Sequence, residues 1–317
     1  MVKLADILGD SYKLAVDCSK TTADFIVFCG VYFMAEAADI LSGSHQKVLI
    51  PEIEARCPMA DQIALKQATE AFQKITELTH KTSAPVVYMN STAEIKSFCG
   101  THGGAVCTSS NADKIVRHFL EEGKIVFFAP DFNLGSNTAD KLGLSASEIV
   151  KISPDLNFEG DISQAKMVIW DGFCYVHKRF TTGDIADLRS KYPNIRIIVH
   201  PECDRKVVAL ADDSGSTQKI YNEIKNSPDG SVWGVGTEYH FVQRIADEFP
   251  QKTILPLRRS ICSNMAKITL QNLWQSLQTV HSHLKKNSAL EGIVQVEEKI
   301  KFGAALALNK MIEIVGK

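Results

Sequence analysis

Short apolar runs rich in β-formers alternate with helical patterns along most of this chain, and that alternation constrains its fold more than any other feature. The runs are Asp24–Gly30, Lys47–Glu52, Pro85–Asn90, Lys124–Pro130, Lys166–Asp171, Arg196–Glu202, Ser231–Thr237 and Lys252–Leu257. Their near-continuous hydrophobicity suits parallel strands covered on both faces. Between them, Thr108-Ser109-Ser110-Asn111 offers capping residues ahead of ADKIVRHFL, and Ser214-Gly215-Ser216-Thr217 does so ahead of QKIYNEI. The pattern predicts an α/β protein built from several small parallel units rather than a sandwich or a bundle.

In chain order the runs fall into sets, each closed by a cysteine. Pro85–Asn90, Lys124–Pro130 and Lys166–Asp171 precede Cys174, and Arg196–Glu202, Ser231–Thr237 and Lys252–Leu257 precede Cys262. The first set holds only Asp24–Gly30 and Lys47–Glu52, followed by Cys57. Both complete sets end their first strand with two polar residues separated by one other, Tyr88 with Asn90 and His200 with Glu202, and later open a helix with serine. The first set has such a helix start at Gly9-Asp10-Ser11 but no strand before it, so this reading expects a first unit lacking its first strand. It divides the chain into three similar αβα units with small parallel sheets in pseudo-threefold arrangement. The first unit is residues 1–80 plus 263–317, the latter as a C-terminal helical cover; the second is 81–173 and the third 174–262.

Composition narrows the class. Hydrophobic content of 45% and charged content of 23% are those of a globular protein, and a net charge of −2 without basic runs gives no reason to expect nucleic acid or an anionic membrane. No apolar stretch approaches the roughly 18 residues a membrane span needs, and the first residues show no signal-peptide pattern. A cytoplasmic, reducing location follows, where structural disulfides among the eight cysteines are not expected.

Three groups of residues offer chemistry. Cys57, Cys174 and Cys262 each follow the last strand of a set, and ligand sites of parallel α/β sheets lie beyond the strands' carboxyl ends. Three thiolates from separate loops would suit an iron–sulfur cluster or zinc, while spacing alone reads equally well as three buried packing residues. No C-x-x-C is present, and Cys18, Cys29, Cys99, Cys107 and Cys203 read as packing residues. The second group, Tyr88, Asn90, His177, His200 and Glu202, sits at strand ends and holds side chains suited to proton transfer. The third is the set of helix starts at Ser11, Ser109, Ser216 and Thr217. Each is explained alone by simple capping, and only convergence in space would make them an anion site.

The ordered motifs GDSYKLA from Gly9, FCGVYFMAEAADIL from Phe28, EARCPMAD around Cys57, YMNSTAEIKS from Tyr88 and CTSSNADKIV from Cys107 resemble the quinolinate synthase family. PDFNLG from Pro130, GFCYVHKRF around Cys174, VHPEC from Val199, GST at Gly215, GTE at Gly236 and CSNMAKITL from Cys262 continue the resemblance along nearly the whole chain. It implies three αβα domains around a central cavity and a 4Fe-4S cluster held by Cys57, Cys174 and Cys262. The implied substrates are iminoaspartate and dihydroxyacetone phosphate, and the implied product is quinolinate for NAD biosynthesis. An aspartate-oxidising or aspartate-dehydrogenating enzyme would supply the iminoaspartate.

The resemblance further implies Glu202 as acid/base, His177 and His200 as orienting groups and Tyr88 as an aid to isomerisation and proton transfer. Ser11, Asn90, Ser109, Ser216 and Thr217 would hold phosphate and carboxylates, together with Tyr88, His200 and Glu202. Two departures stand out. The family's strand ending in His-x-Tyr upstream of GDS is not in this sequence, which agrees with the strand count and points to an N-terminally truncated chain. Phe132 stands where the family often has a polar residue, and the loop 153–164 is long. The alternatives are a cluster-binding but catalytically impaired homologue, a zinc-dependent enzyme using the same cysteines and a metal-free α/β binding protein.

Overall fold

A computed structural model describes residues 2–18 and 20–316, and their strands form three sheets. The largest has six strands in the spatial order Ala105–Cys107, Ser83–Tyr88, Ile125–Ala129, Met167–Trp170, Ile149–Ile152 and Phe158–Glu159. Its pairings are parallel except the last. A wholly parallel four-stranded sheet runs Asp213–Ser214, Arg196–Val199, Val232–Gly236, Thr253–Pro256. In the third sheet Phe25–Val27 and Lys47–Leu49 pair in parallel, and Ile293–Val294 adds an antiparallel strand.

Every apolar run of the sequence contains or overlaps one of these strands. Five further strands escaped the pattern: Ala105–Cys107, Ile149–Ile152, Phe158–Glu159, Asp213–Ser214 and Ile293–Val294. Phe158–Glu159, Asp213–Ser214 and Ile293–Val294 have two residues each, too few for periodicity to register, and Asp213–Ser214 is entirely polar. The long loop 153–164 includes Phe158–Glu159, which doubles back antiparallel on Ile149–Ile152.

The middle strands of the six-stranded sheet are buried on both faces, with Val86, Val126, Phe127, Phe128, Val168 and Ile169 all without exposed surface. Helix Ala112–Glu121 covers this sheet with Ile115, Val116 and Phe119. The closing helix Glu298–Gly316 joins the same core through Ala304, Ala307, Leu308 and Met311. It crosses helix Ala93–Thr101 at Gly100 and Gly303, where a Cβ on Gly100 would stand 2.0 Å from the Gly303 carbonyl oxygen. Two glycines are what let the backbones approach this closely.

Chain order places the functional ends of the two larger sheets. From Ser83–Tyr88 the chain runs outward to the edge strand Ala105–Cys107, then crosses back to Ile125–Ala129 on the other side. The four-stranded sheet repeats this move: Arg196–Val199 leads to the edge strand Asp213–Ser214, then back to Val232–Gly236. Each reversal opens a crevice beyond the strands' carboxyl ends, the usual ligand position in such sheets. Tyr88 ends one strand at the first crevice, and His200 and Thr237 follow the two strands at the second.

Candidate active site

The two crevices meet through one hydrogen bond. Tyr88 Oη donates to Glu202 Oε1 at 2.5 Å, although the two residues belong to different sheets and both are buried. Asn137 holds the Glu202 turn in place, its Nδ2 donating to the carbonyls of Pro201 at 2.8 Å and Cys203 at 2.9 Å. The other carboxylate oxygen, Glu202 Oε2, lies 2.8 Å from His177 Nδ1, and His177 Nε2 lies 3.0 Å from Thr237 Oγ1. His200 stacks on His177 with ring centroids 4.3 Å apart, and its Nδ1 accepts the Glu202 backbone N–H at 3.3 Å. Accepting at Nδ1 leaves Nε2–H as the donor that a neutral His200 ring can offer.

Burial and neighbours set the protonation of these groups. Burial pushes His200 from 6.5 down to about 3, reinforced by the adjacent His177, so the ring stays neutral at physiological pH. Burial opposes the charge of Glu202, but the two imidazoles and the His177 and Tyr88 hydrogen bonds overcome it and hold the carboxyl well below its usual range. Tyr88 is pushed far up, first by burial and then by Glu202, so its phenol keeps its proton while donating to the carboxylate. Ser109 also hydrogen-bonds this phenol. The result is an ionised, buried carboxylate hydrogen-bonded between a phenol and an imidazole.

Two of the three cysteines interact with this group directly, and the third interacts with one of them. Cys174 Sγ, a His177 ring nitrogen and a Glu202 oxygen lie within 4.8 Å of one another. Cys57 interacts electrostatically with Glu202 and Cys262, and Cys174 with Glu202 and Cys57. Each is half-buried and free of disulfide bonds. Cys262 Sγ accepts from Tyr175 Oη and from the Met265 N–H, each at 3.5 Å. Burial pushes the Cys57 thiol up to about 12 and raises Cys174 strongly, so each keeps its proton until a cation takes the proton's place.

This donor set fits a polynuclear cluster. A single tetrahedral zinc would need its thiolates within about 4 Å of one another, given Zn–S bonds of about 2.3 Å. Among the described residues, the group tight enough for one ion is Cys174, His177 and Glu202 rather than the three cysteines. Both ring nitrogens of His177 already have partners. Cys18, Cys99, Cys107 and Cys203 are buried packing residues as expected. Cys29 is a correction: it is exposed, because it follows the short strand Phe25–Val27 into an open turn.

The helix starts divide between two places. Ser109 touches Tyr88, whereas Ser11 lies half-buried beside Met34 Sδ and lines a small apolar cavity with Met89. Ser216 caps helix Thr217–Asn226, accepting the Lys219 N–H at 3.3 Å. It also lines a second cavity of about 470 Å³ with Lys13, Ser110, Asn111, Lys114 and Lys219. Three helix starts from separate parts of the chain therefore open onto one space. Asn90 stands half-buried two residues beyond Tyr88, and Thr217 is the first residue of its helix.

Several participants left little trace in the sequence. Asp131 is fully buried, with Oδ1 accepting the Leu134 N–H at 2.6 Å and Oδ2 accepting the Cys174 N–H at 3.2 Å, so it fixes the Cys174 turn. Burial first, then Glu202, raises its pKa. Gln62 clasps the same turn, exchanging hydrogen bonds with the Phe173 carbonyl at 3.1 Å and the Phe173 N–H at 2.7 Å. Lys96 is entirely buried and donates to the Ser91 carbonyl, just beyond Asn90. Burial lowers it to about 8, opposed by Glu36 and Cys57. Asp131 was discoverable as the capping residue before FNLG; a lone lysine or glutamine within a helix or turn gives no such signal.

Comparison with known proteins adds identity to this geometry. The family model described as Quinolinate synthetase A protein matches residues 1–313. The chain is 44% identical to the quinolinate synthase of Listeria monocytogenes, over 99% of its own length and 86% of the relative's. It is 42% identical to the quinolinate synthases of Bacillus subtilis and Bacillus pumilus, again over 99% of its length and over 86% and 85% of theirs. These matches span nearly all of the chain, including every motif that builds the cluster of Tyr88, His177, His200 and Glu202. The chain belongs to the quinolinate synthetase A family of enzymes.

Proposed function

We propose that this chain condenses iminoaspartate with dihydroxyacetone phosphate to quinolinate, with loss of phosphate and water, as a cytoplasmic step of NAD biosynthesis. The observation that carries the mechanism is the buried Tyr88–Glu202–His177 network beside the free cysteines Cys57 and Cys174. Cys57, Cys174 and Cys262 would hold a 4Fe-4S cluster, one from each of three αβα units around a shared centre. Those units are 1–80 with 263–317, 81–173 and 174–262. When bound, an iron without a cysteine ligand supplies Lewis-acid polarisation of a substrate oxygen. An enzyme that oxidises or dehydrogenates aspartate is the matching source of iminoaspartate.

The protein's own groups divide the remaining work. Glu202, ionised and desolvated, accepts the proton lost as a carbon–carbon or carbon–nitrogen bond forms, and passes it on through Tyr88 or His177. The Tyr88 phenol returns a proton to a substrate oxygen during isomerisation or loss of water. His200, neutral and donating from Nε2, orients a carboxylate or carbonyl. Asn90, Ser109, Ser11, Ser216 and Thr217 bind the substrates' anionic groups through hydroxyl, amide and helix-start N–H donors. Closing Tyr88, Glu202 and His177 away from bulk water strengthens each of these interactions.

The test is quinolinate formation under anaerobic conditions by reconstituted E202Q and Y88F proteins beside the parent. E202Q is expected to lose about 10²–10⁴-fold in kcat at an unchanged iron content. Full activity of E202Q would remove the carboxylate from the chemistry. A zinc enzyme is the second reading, favoured only by the Cys174, His177 and Glu202 grouping, and zinc without acid-labile sulfide in the purified protein would establish it.

A further inference from the structure

The hydroxyl of Tyr175 sits where two cysteine turns meet, and the chemistry above does not use it. Tyr175 follows Cys174 directly, yet its phenol reaches across to the other turn, with Oη 3.5 Å from Cys262 Sγ. The Ser263 N–H donates to Tyr175 Oη at 2.9 Å, and Ser263 Oγ lies 3.2 Å from the same oxygen. Ser263 can donate from both its amide and its hydroxyl, which fills the acceptor side of the phenol and leaves the single phenolic proton for the sulfur. The Met265 N–H adds a second donor to Cys262 Sγ, also at 3.5 Å.

Joining the two turns does not account for this bond, because other groups already join them. Ser260 Oγ, without exposed surface, donates to the Val176 carbonyl at 2.7 Å. Glu238 Oε1 accepts the Cys262 N–H at 3.2 Å, while its Oε2 accepts the Phe241 N–H at 3.1 Å and anchors helix Tyr239–Glu248. A phenol aimed at the sulfur itself acts on the charge of that sulfur, which backbone ties do not. A neutral thiol is a weak acceptor and a thiolate a strong one, so the bond gains strength when Cys262 ligates a metal. Hydrogen bonds to ligating sulfurs are one of the levers by which a protein sets the reduction potential of a cluster.

We infer that Tyr175 is a positioning residue for the metal centre: its phenol, oriented by Ser263, hydrogen-bonds the Cys262 thiolate and draws charge from that ligand. This rests on the cluster proposed above, with Cys262 among its ligands. Drawing charge from one thiolate makes the iron–sulfur core easier to reduce and strengthens the Lewis acidity available to a substrate oxygen.

The test is a dye-mediated redox titration of the reconstituted full-length chain, with the parent beside Y175F and S263A at matched iron content. Y175F keeps the ring and loses the donor, so its equilibrium constant for one-electron reduction is expected to fall about three- to tenfold. Tenfold corresponds to a potential about 59 mV more negative. S263A keeps the amide that orients the phenol and is expected to hold the parent's potential. An unchanged potential in Y175F would overturn the inference. An equal shift in S263A would overturn it too, marking a clasp between turns rather than a bond to the sulfur. A parent without iron and sulfide would remove the inference together with the cluster. If the parent holds a cluster but makes no quinolinate, the proposed function fails on its own, and the potentials still decide the role of Tyr175.

Discussion

His200 shows how one residue's surroundings turn into a measurable property. In the folded chain it resists protonation down to about 3, whereas in the unfolded chain it titrates near 6.5. Below pH 6.5 the unfolded state therefore binds the extra proton and folding loses stability as pH falls. Between pH 6.5 and pH 5 the loss is about 2 kcal/mol from this residue. Glu202, with its depressed pKa, adds its own loss only lower, below the ordinary carboxylate value of 4.5. Urea midpoints of the cluster-free protein should fall across that upper window, and H200N, which keeps an acceptor for the Glu202 N–H, should flatten the slope. An unchanged slope in H200N would show that the ring is not held neutral. His200 and Glu202 were legible because an apolar strand ended abruptly in His-Pro-Glu, an expensive place for polar groups without a task. Asp131 was not singled out: its carboxylate looks in sequence like a simple helix cap, and its second role, holding the Cys174 turn, depends on a residue 43 positions away.

At the scale of elements, the strands that carry the site were the readable ones. Ser83–Tyr88, Arg196–Val199 and Val232–Gly236 are central strands, and burial on both faces writes them as apolar runs. Edge strands such as Ala105–Cys107 and Asp213–Ser214 were lost because they are brief, yet they create the reversals of strand order that open the two crevices. The C-terminal helical cover was also visible, but its docking was not: the helix contact at Gly100 and Gly303 involves no side-chain periodicity. This contact makes a direct prediction. G100A drives a Cβ into the Gly303 carbonyl, should cost about 1–3 kcal/mol, and should lower the thermal midpoint. G303A meets the rotatable Ser97 Oγ at 2.3 Å but the Ser97 carbonyl oxygen only at 3.0 Å, so it should cost less than G100A. Equal midpoints for G100A and the parent would mean that the two helices do not pack so closely.

For the whole molecule, the argument turns on distance in sequence becoming closeness in space. Cys57, Cys174 and Cys262 stand 117 and 88 positions apart in the chain, yet Cys57 and Cys174 both interact electrostatically with the buried Glu202, and Cys57 also with Cys262. Long-range ties hold this convergence: Gln62 to the Phe173 backbone, the Ser263 N–H to Tyr175 Oη at 2.9 Å, and Lys267 to the Glu54 carbonyl at 2.7 Å. The spacing of the cysteines after their strands singled these residues out, while the clasping groups became visible only in the fold. No helix of the described residues is long and apolar enough to cross a membrane. The most direct test is iron and acid-labile sulfide per chain after anaerobic reconstitution, for the parent and for C57S, C174S and C262S. The parent should hold about four of each, and every variant should lose most of both. Zinc without sulfide in the parent, or an undiminished cluster in all three variants, would contradict the account.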